Sequence, residues 1–574
     1  MRKLSLVFIA VALCLSACRT GAAPVTPTGD GQIVDRQTYQ LSREERDELL
    51  AWGMTEQEID GVSVEDITYL SDDLRIKGYL LQPQEDDLYP AIIYNAGDGG
   101  PSPLEMMPYA IEGYVVVSSW LRGHGGSEGE DQYGGADLND VLNLIPLVRG
   151  LPKADASRMA MVGVSRGGMM TYLALTRTHE IRVAAVRGAR SNLMCGMDPV
   201  QRHLGGDERT VPKAYFTRSA VNFAHLISAP VLIQHSDQDR AWEAHAHLMA
   251  GALEYYGKPH KLTIYDAGDH DEWDYILEAF EEQLEWIAGH VEAPMVVLPT
   301  EAPTPSWPRE TFANDGQIVE RRPHEFSSDE RETLLRVGMT EEEVEGISVE
   351  QITYMSEGLR IKGYLLQPEA EGSHPMLIHN RGGAGLEPAP LMLYAREGYI
   401  IVASWLRGWG GSEGAHDELG HVNDVLNLVP LAKSLPNADP DRIAMGGISY
   451  GGRMTYRVLA RTDEIKVAYA IGAPSVDCEW GEFEERDYEQ PESYFAPSPI
   501  HFAYLFNTPV LIQHGGADPH VLSKNAQLMA AALDYYGKPH RLSIYEGGNH
   551  NLSTHWREAF EERIDWMASH LQSP

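Results

Sequence analysis

The strongest constraint on this chain is that its sequence repeats over long stretches. Residues 63–83 (SVEDITYLSDDLRIKGYLLQP) return at 348–368 (SVEQITYMSEGLRIKGYLLQP), and residues 252–260 (ALEYYGKPH) return at 532–540 (ALDYYGKPH). The offset of about 280 to 285 residues far exceeds the 20–50 residues of a solenoid repeat. Each copy is long enough to bury its own core, so the repeat predicts a duplicated domain.

The repeat and the composition between the copies divide the chain into five predicted parts. The boundaries are a signal peptide over 1–17, a flexible tether over 18–30, a first domain over 31–291, a Pro-rich linker over 292–314 and a second domain over 315–571. The tether is rich in small residues, and the linker is Pro-dense and aperiodic, so neither is expected to contribute to a core.

The N-terminus predicts export and lipid attachment. Arg2 and Lys3 precede an apolar run over 4–15, which is too short to be a stable membrane span. The ending Leu-Ser-Ala-Cys resembles a bacterial lipobox, which implies cleavage before Cys18 and a lipid on that cysteine. We therefore expect a location in the bacterial cell envelope, at the outer membrane facing the periplasm or at the cell surface. An ordinary signal peptide with a chance cysteine is the alternative.

The composition limits the kinds of partner that the chain is expected to bind. A formal net charge of −38 argues against binding nucleic acid and against electrostatic docking on anionic lipid. The membrane contact we expect is the N-terminal lipid alone. The chain has neither a CxxC nor an HExxH motif, so no metal site and no cofactor is predicted. Cys195 and Cys478 lie at nearly matching places in the two copies, which favours two free thiols over an inter-domain disulfide.

The pattern of apolar runs predicts the fold class. In each copy, short apolar runs bounded by Gly and Pro alternate with helical patterns of about 10–15 residues. Such alternation indicates an α/β fold with a doubly wound, mostly parallel sheet. A period-2 stretch with a turn at Asp72-Asp73, or at Glu357-Gly358, predicts an antiparallel hairpin before it. In sheets of this kind the chemistry lies at the carboxyl ends of the strands.

Each copy carries a G-x-S-x-G motif in a strand–turn–helix context. The sequence over 163–168 is GVSRGG and that over 447–452 is GISYGG, and each follows an apolar run. The glycines allow a strained turn that exposes the serine hydroxyl at a helix N-terminus. Ser165 and Ser449 are therefore the candidate nucleophiles.

A serine nucleophile needs a base, and the base needs a carboxylate to orient it. The next two predicted strands of each copy end in an acid and then a histidine, which gives the order Ser, Asp, His of the α/β-hydrolase triad. The predicted triads are Ser165, Asp239 and His270, and Ser449, Asp518 and His550. Asp237 is the competing acid of the first copy, but the second copy has Gly516 there. His235 and His514 precede the acid and are predicted to pack or to donate hydrogen bonds.

Acyl transfer also requires donors for the developing oxyanion. One is expected from the backbone amide that follows the nucleophile, at Arg166 or Tyr450. The other is expected from the glycine-rich loop after the third strand of each domain, at Ala96 or Arg381.

These motifs together resemble the catalytic domain of the prolyl oligopeptidase-like (S9) branch of the α/β-hydrolases. That branch shows G-x-S-x-G-G, then H-G-x-x-D-x-x-V and then G-x-H, and residues 514–521 (HGGADPHV) fit the second motif. The first copy departs from it at Ser236 and Trp242. Asp269 and Asn549 are extra residues before the histidine. The resemblance implies two tandem α/β-hydrolase domains, each with a short cap. No β-propeller is expected, because about sixty residues precede the third-strand loop.

The sequence therefore predicts a lipid-anchored serine hydrolase with two Ser-Asp-His sites. Both sites are expected to act through acyl-enzyme intermediates on small ester or short peptide substrates. Three alternatives stay open at this point. The chain could combine one catalytic domain with one binding or regulatory domain, it could be an aminopeptidase or acylaminoacyl peptidase of the S9 type, or it could bind without catalysis on a borrowed fold.

Overall fold

The structure is a computed structural model that describes residues 29–195, 200–266, 275–292, 313–383, 385–476 and 498–572. In the first half the strands are β1 (Ile33–Thr38), β2 (Val62–Ser71), β3 (Leu74–Pro83), β4 (Tyr89–Asn95), β5 (Val115–Ser119), β6 (Ala154–Val164), β7 (Val183–Arg187), β8 (Val231–Ser236) and β9 (His260–Tyr265). In the second half they are β10 (Ile318–Pro323), β11 (Ile347–Ser356), β12 (Leu359–Pro368), β13 (His374–Asn380), β14 (Ile400–Ser404), β15 (Ala438–Ile448), β16 (Val467–Ile471), β17 (Val510–Gly515) and β18 (His540–Tyr545).

Helices fill the connections between the strands. Those of the first half are Arg43–Ala51, Glu56–Asp60, Pro103–Ile111, Leu138–Leu142, Leu144–Arg149, Arg166–Leu175, Gln201–Leu204, Pro212–Arg218, Arg240–Tyr255 and Ile276–Val291, with a 3₁₀ helix at Ala220–Leu226. Those of the second half are Ser328–Arg336, Glu341–Glu345, Met392–Arg396, Glu418–Leu426, Leu428–Lys433, Tyr450–Leu459, Lys524–Tyr535 and Trp556–His570, with 3₁₀ helices at Ala389–Leu391, Pro499–Leu505 and Ser553–His555.

The two halves form sheets with the same strand order. Within the described residues the first sheet runs β1-β2-β3-β5-β4-β6-β7-β8-β9, and the second runs β10-β11-β12-β14-β13-β15-β16-β17-β18. The first three strands of each sheet pair antiparallel, and the following six pair parallel. The predicted α/β fold with two tandem, mostly parallel sheets is confirmed.

Local sequence signals explain the hairpin and the helix that precedes it. Ser42 caps the helix Arg43–Ala51 in a reciprocal capping box with Glu45, which satisfies two amides that the first turn leaves unpaired. Asp72 and Asp73 turn from β2 to β3 with φ of 50° and 64°, the left-handed conformation that a tight hairpin turn requires and that Asp tolerates.

The edge strands β1 and β10 were not predicted from the sequence. Their sequences, IVDRQT and IVERRP, are mostly polar and exposed, so a search for apolar runs passes over them. They form because β2 and β11 present a free edge to pair with, at Thr38 with Glu65 for example. The apolar run Met159–Val164 forms only the last six residues of β6. The strand begins five residues earlier, at Ala154, where its first residues pair with β4.

The two halves pack against each other through an aromatic interface. The His225 and Tyr504 rings stack with centroids 4.4 Å apart, and the Phe216 and Tyr535 rings meet edge to face at 5.7 Å. A hydrogen bond of 2.8 Å joins His501 Nδ1 to Asn222 Oδ1. The helices Pro212–Arg218 and Lys524–Tyr535 and the 3₁₀ helices Ala220–Leu226 and Pro499–Leu505 supply these contacts, so the halves share one continuous apolar core.

Cys195 corrects one prediction. We expected a free thiol there, but Cys195 is in a disulfide bond, and its partner lies outside the described residues, as do all three other cysteines. The matching positions of Cys195 and Cys478 in the two copies favoured free thiols, whereas pairing depends on which distant segments the fold brings together. The signal peptide with Cys18 and most of the tether and the linker also lie outside the described residues. The domain boundaries therefore stay predictions.

Among the helices that the structure describes, none combines the length and the apolar character needed to cross a membrane.

Candidate active site

Ser165 and Ser449 each lie in a sharp turn between a strand and a helix. Their φ and ψ angles are 52° and −119°, and 55° and −121°, a strained conformation that non-glycine residues seldom adopt outside functional sites. The turn is held by the serine amides, which donate to Arg187 O at 2.8 Å and to Ile471 O at 2.7 Å. Both serines therefore end up at the carboxyl ends of the parallel strands.

Glycine is required two residues after each serine. A Cβ at Gly167 would lie 1.9 Å from Asn95 O, and one at Gly451 would lie 2.1 Å from Asn380 O. No side chain fits in that space, because the helix that begins after each serine packs directly on the loop after β4 or β13. The G-x-S-x-G spacing thus reflects a close approach of two backbone segments.

In the second domain Asp518 and His550 form a hydrogen-bonded pair. His550 Nδ1 lies 2.7 Å from Asp518 Oδ2, and the amides of His520 and Val521 donate to Asp518 Oδ1 at 2.8 and 3.0 Å. Burial alone would raise the pKa of the Asp518 carboxyl, but the hydrogen bonds from Val521, His550 and His520 hold that pKa below its usual value. The carboxylate is therefore ionised and orients the imidazole.

His514 contacts the same carboxylate. Its Nε2 lies 2.7 Å from Val521 O and 3.2 Å from Asp518 Oδ2, and the side chain is fully buried. Because a carbonyl oxygen only accepts, Nε2 carries the hydrogen. Burial lowers the pKa of His514, so this ring is neutral and donates toward Asp518. The prediction of a hydrogen-bonding role for His514 agrees with this geometry.

Ser449 and His550 line one cavity of about 760 Å³. In the described part of the second domain no hydrogen bond joins the Ser449 hydroxyl to His550; such contacts are often longer before substrate binds. Gly472 sets the position of the ring, since a Cβ there would lie 2.7 Å from His550 O and 3.2 Å from His550 Nδ1. The rest of the wall is largely apolar, with Leu386 and Leu391 among its residues.

The first domain brings Ser165 and Asp239 to one cavity of about 500 Å³. Asp239 is buried and lies 3.7 Å from His235 Nε2, measured at its Oδ2. Asp237, the competing acid, does not line this cavity and is less buried. His270, the predicted base, lies outside the described residues, so the first triad is described for two of its members.

The four predicted oxyanion donors lie beside the serines. Arg166 and Tyr450 begin the helices that follow the serines, where the first amides of a helix have no partner within it. Ala96 and Arg381 directly follow β4 and β13. The next residue of each loop, Gly97 or Gly382, approaches the serine Cβ, since a Cβ on it would lie 3.5 or 3.9 Å away. These amides stay a prediction.

The side chains at the same positions differ between the domains. Arg166 is buried and pairs with Asp137 at 3.0 Å and with Asp131. At the matching position Tyr450 donates to His421 Nδ1 at 2.7 Å. Arg381, at the place of Ala96, is a buried cation beside this site in the second domain, and its guanidinium stacks 4.1 Å over the Trp409 ring. The two sites therefore rest on different buried networks.

Two cavity residues of the first domain were missed in the sequence. Glu105 and Arg187 line the Ser165 cavity, and the second domain has Pro390 and Ile471 at the corresponding places. Arg187 could have been noticed as a charge at the carboxyl end of an apolar strand, whereas Glu105 gives no signal because it lies within an ordinary helix. Within the described residues no cluster of three or more His, Cys, Asp or Glu side chains could hold a metal ion.

Comparison with curated proteins gives relatives that are peptidases by name. The chain is 29% identical over 217 residues to the uncharacterized peptidase YtmA of Bacillus subtilis, a match that covers 36% of this chain and 84% of that protein. It is 29% identical over 183 residues to dipeptidyl-peptidase 5 of Porphyromonas gingivalis, with 28% of this chain and 27% of that protein covered. The chain thus spans most of the first relative but about a quarter of the second.

Comparison with solved structures gives matches of lower similarity. An acylaminoacyl peptidase in complex with Z-Gly-Gly-Phe-chloromethyl ketone is 21% identical with a TM-score of 0.37, covering 42% of this chain and 44% of that one. Acetyl xylan esterase 1 from Thermoanaerobacterium is 16% identical with a TM-score of 0.36, covering 45% of this chain and 88% of that one.

A match to a protein-family model shows to which family the chain belongs. The model described as the prolyl oligopeptidase family matches residues 102–293 and 389–574, more than half of the chain and a large part of each domain. The matched segments contain both nucleophile turns and the acids that follow them. The chain therefore belongs to the prolyl oligopeptidase family and is a hydrolase of the serine-peptidase type.

Proposed function

We propose that both domains are catalytic, with Ser165, Asp239 and His270 as one triad and Ser449, Asp518 and His550 as the other. The observation that carries this proposal is the pairing of Asp518 with His550 at 2.7 Å in the cavity that Ser449 lines. The same strained turn at Ser165 supports the first site.

In the proposed reaction the serine Oγ attacks the substrate carbonyl carbon. In the second domain His550 takes the serine proton at Nε2, because Nδ1 is held by Asp518. The new C–O bond places the carbonyl electron pair on the oxygen, where the amides of Arg381 and Tyr450 stabilise it. Collapse expels the leaving group, which takes the proton from Nε2. A water molecule then attacks the acyl-enzyme in the same way and restores the serine.

We propose short peptides as the main substrates and small esters as the second class. Membership in a peptidase family supports the peptides. The acyl-enzyme is common to amide and ester cleavage, so esters with good leaving groups are expected to react at the same serines. An aminopeptidase or acylaminoacyl peptidase activity is compatible with this proposal.

Fluorophosphonate labelling followed by peptide mapping tests the two nucleophiles. We expect label on both Ser165 and Ser449, and loss of each label in the matching Ser→Ala variant. In each single variant, we expect the unchanged site to hydrolyse p-nitrophenyl esters at the same rate that it contributes in the wild type. The double variant should lose at least about 10³-fold in rate.

The same experiment separates the alternatives. Label on one serine alone would mean that the other domain binds or regulates. Label on neither, or undiminished hydrolysis in the double variant, would contradict a serine mechanism.

We also propose that the mature protein is attached to the bacterial cell envelope by a lipid on Cys18, on the outer membrane. The basic residues before the apolar run 4–15, and the sequence Leu-Ser-Ala-Cys that ends at Cys18, support this. Metabolic labelling with an alkyne fatty acid tests it: wild type should incorporate the label and Cys18→Ser should not. Label that persists in Cys18→Ser would contradict the proposal.

A further inference from the structure

The first domain has a second chamber beside its catalytic cavity. The chamber has a volume of about 300 Å³ and shares three lining residues, Glu105, Val164 and Arg187, with the cavity that contains Ser165. Val164 directly precedes Ser165 in the chain. The chamber therefore adjoins the wall of the cavity in which the substrate carbonyl would lie.

The chamber combines aromatic walls with carboxylates. Its aromatic residues are Trp52, Tyr94, Tyr109 and Phe280. Glu105 accepts a hydrogen bond of 3.1 Å from the Tyr94 hydroxyl, and within the described residues no Lys, Arg or His side chain forms an ion pair with it. Burial raises the pKa of the Glu105 carboxyl, whereas the hydrogen bond from Tyr94 and the charge of Arg187 act in the opposite direction. Glu112 and Glu281 also line the chamber, on the side that is exposed to solvent.

The second domain differs in the residues around the corresponding space, where His379, Pro390 and Ile448 line the cavity of Ser449 at the places of Tyr94, Glu105 and Val164. Tyr469 of β16 stands where β7 has Ala185, and Gly446 of β15 stands where β6 has Val162. The Tyr469 ring covers Gly446, where a Cβ would lie 2.3 Å from it, and the hydroxyl lies 3.2 Å from His379 Nδ1.

Two further residues around this space differ between the two domains. The Arg563 guanidinium lies 5.6 Å from the Tyr469 ring centroid, at the helix position where the first domain has the shorter Gln283. Pro390 replaces Glu105 and so removes the carboxylate. The chamber of the first domain therefore presents a carboxylate at a place where the second domain has a proline.

We propose that this chamber binds an alkylammonium group of the substrate that Ser165 attacks, with Glu105 as its carboxylate partner. The proposal rests on the catalytic role of Ser165 put forward above. A carboxylate in a half-buried site gives a strong charge-assisted hydrogen bond, and the tyrosine, tryptophan and phenylalanine faces attract a cation as well. An anionic group would instead face three glutamates against one arginine. The ammonium comes either from the N-terminus of a peptide or from a lysine side chain.

The proposal predicts different substrate preferences for the two sites. The first site should favour substrates that carry an ammonium group near the scissile bond. The second should favour the ammonium less, because Pro390 stands at the place of Glu105 and the carboxylate that lines its cavity, Glu387, is exposed.

Protection from fluorophosphonate tests the chamber in the full-length chain with Ser449→Ala. The labelling rate of Ser165 is measured against increasing n-hexylammonium, with 1-hexanol as the neutral probe. We expect hexylammonium to protect. Glu105→Gln, which keeps an acceptor for Tyr94, should raise the half-protecting concentration roughly tenfold or more. Glu285→Gln is the matched control, since it removes the same charge at an exposed position on the helix Ile276–Val291 that does not line the chamber, and it should change the half-protecting concentration less than about twofold.

Substrates separate the two sources of the ammonium. Alanyl-alanyl p-nitroanilide carries a free amine, its N-acetyl form carries none, and N-acetyl-alanyl-lysyl p-nitroanilide carries only the side-chain amine. A rise in KM with Glu105→Gln for the first assigns the N-terminus, and a rise for the third assigns lysine. Equal effects of Glu105→Gln and Glu285→Gln, or an equal effect of Glu105→Gln on the blocked neutral substrate, would overturn the proposal.

A failure of the catalytic assignment is distinguishable from a failure of the chamber. If Ser165 takes no label, the proposed function fails at that site. Calorimetric titration of n-hexylammonium into the Ser165→Ala chain still decides the chamber: binding that weakens roughly tenfold with Glu105→Gln supports it, and binding that is absent or unchanged overturns it.

Discussion

At the scale of single residues, the second site depends on small groups that hold the histidine and its acid. Asp518 is fully buried and accepts from two backbone amides, from His550 and from the direction of His514. Gly472 provides the room in which the His550 ring lies. Substitutions at these positions should affect catalysis before they affect the fold.

We expect Gly472→Ala to lower kcat of the second site. Its φ is 52°, and a Cβ there would lie 2.7 Å from the His550 carbonyl oxygen and 3.2 Å from its ring Nδ1, so His550 must move from its present position. A misplaced base should cost roughly 10²-fold, measured by ester hydrolysis in the Ser165→Ala background. The control is Gly537→Ala, which has a similar φ of 64° and open space around it. An equal loss in both variants would mean that backbone strain, and not the ring position, is responsible.

We expect His514 to act as a positioning residue through Asp518. His514→Leu removes the donor to Oδ2, so the carboxylate should hold a proton on His550 more strongly. The acidic limb of the kcat/KM profile should then move to higher pH, and kcat should fall by about tenfold. His514→Gln keeps an N–H donor and should restore part of both. If the pH profile of kcat/KM is unchanged in His514→Leu, His514 has only a packing role.

At the scale of secondary-structure elements, a buried ion pair joins the hairpin to the sheet. Arg407 follows β14 and contacts Asp424 at 2.7 Å on the helix Glu418–Leu426, and Glu357 at 2.7 Å in the hairpin turn. Asp424 is fully buried and also accepts from Ser356 at 2.6 Å. The first domain repeats this with Arg122 and Asp140. The segments WLRG (120–123 and 405–408) and ND (139–140 and 423–424), which occur in both copies, therefore have a structural role.

We expect Asp424→Asn to destabilise the second domain by about 3–5 kcal/mol, because it leaves a buried guanidinium without its main counter-charge. The measurement is the urea midpoint followed by circular dichroism. The control is Glu332→Gln, which removes an exposed pair with Arg336 and should cost less than about 0.5 kcal/mol. Similar midpoints for the two variants would contradict a structural role for the network.

At the scale of the whole molecule, the two domains are joined by contacts that are buried on both sides. His501 is buried beside Asn222, and His225 is buried beside Tyr504. Lys524 and Glu208 add an ion pair at 3.6 Å. Because aromatic rings from both halves interleave, we expect the domains to unfold in one transition and not as independent units.

Acid should weaken this interface. Burial lowers the pKa of His501 to about 3 and that of His225 to about 4, below the value of about 6.5 in the unfolded chain. The unfolded state then binds more protons below pH 6.5, so stability falls as the pH drops from about 6.5 toward 3. Each histidine should cost about 2 kcal/mol at pH 5 relative to pH 7.

Thermal unfolding at pH 7 and pH 5 measures this effect. His501→Gln should lose less stability on acidification than the wild type, because it removes one proton-binding group from the unfolded state. His179→Gln, at an exposed position, is the control and should lose as much as the wild type. An unchanged acid dependence in His501→Gln would contradict the linkage.

The sequence by itself determined the fold class, the strand–turn–helix setting of Ser165 and Ser449, and the order of acid and base. These features depend on local periodicity, on turn conformation and on a close approach that only glycine permits at Gly167 and Gly451. The turn around each serine is encoded within a few neighbouring residues, and the fold class and the order of acid and base follow from the succession of such short patterns along the chain, so they can be read without the three-dimensional structure.

The tertiary structure alone decided the disulfide at Cys195, the aromatic interface around His501 and the chamber beside Ser165. All three depend on which distant segments meet. The chamber in particular forms where β4, the helix Pro103–Ile111 and the helix Ile276–Val291 meet. These elements lie far apart in the sequence, so only their packing in the fold brings Glu105 beside the aromatic side chains.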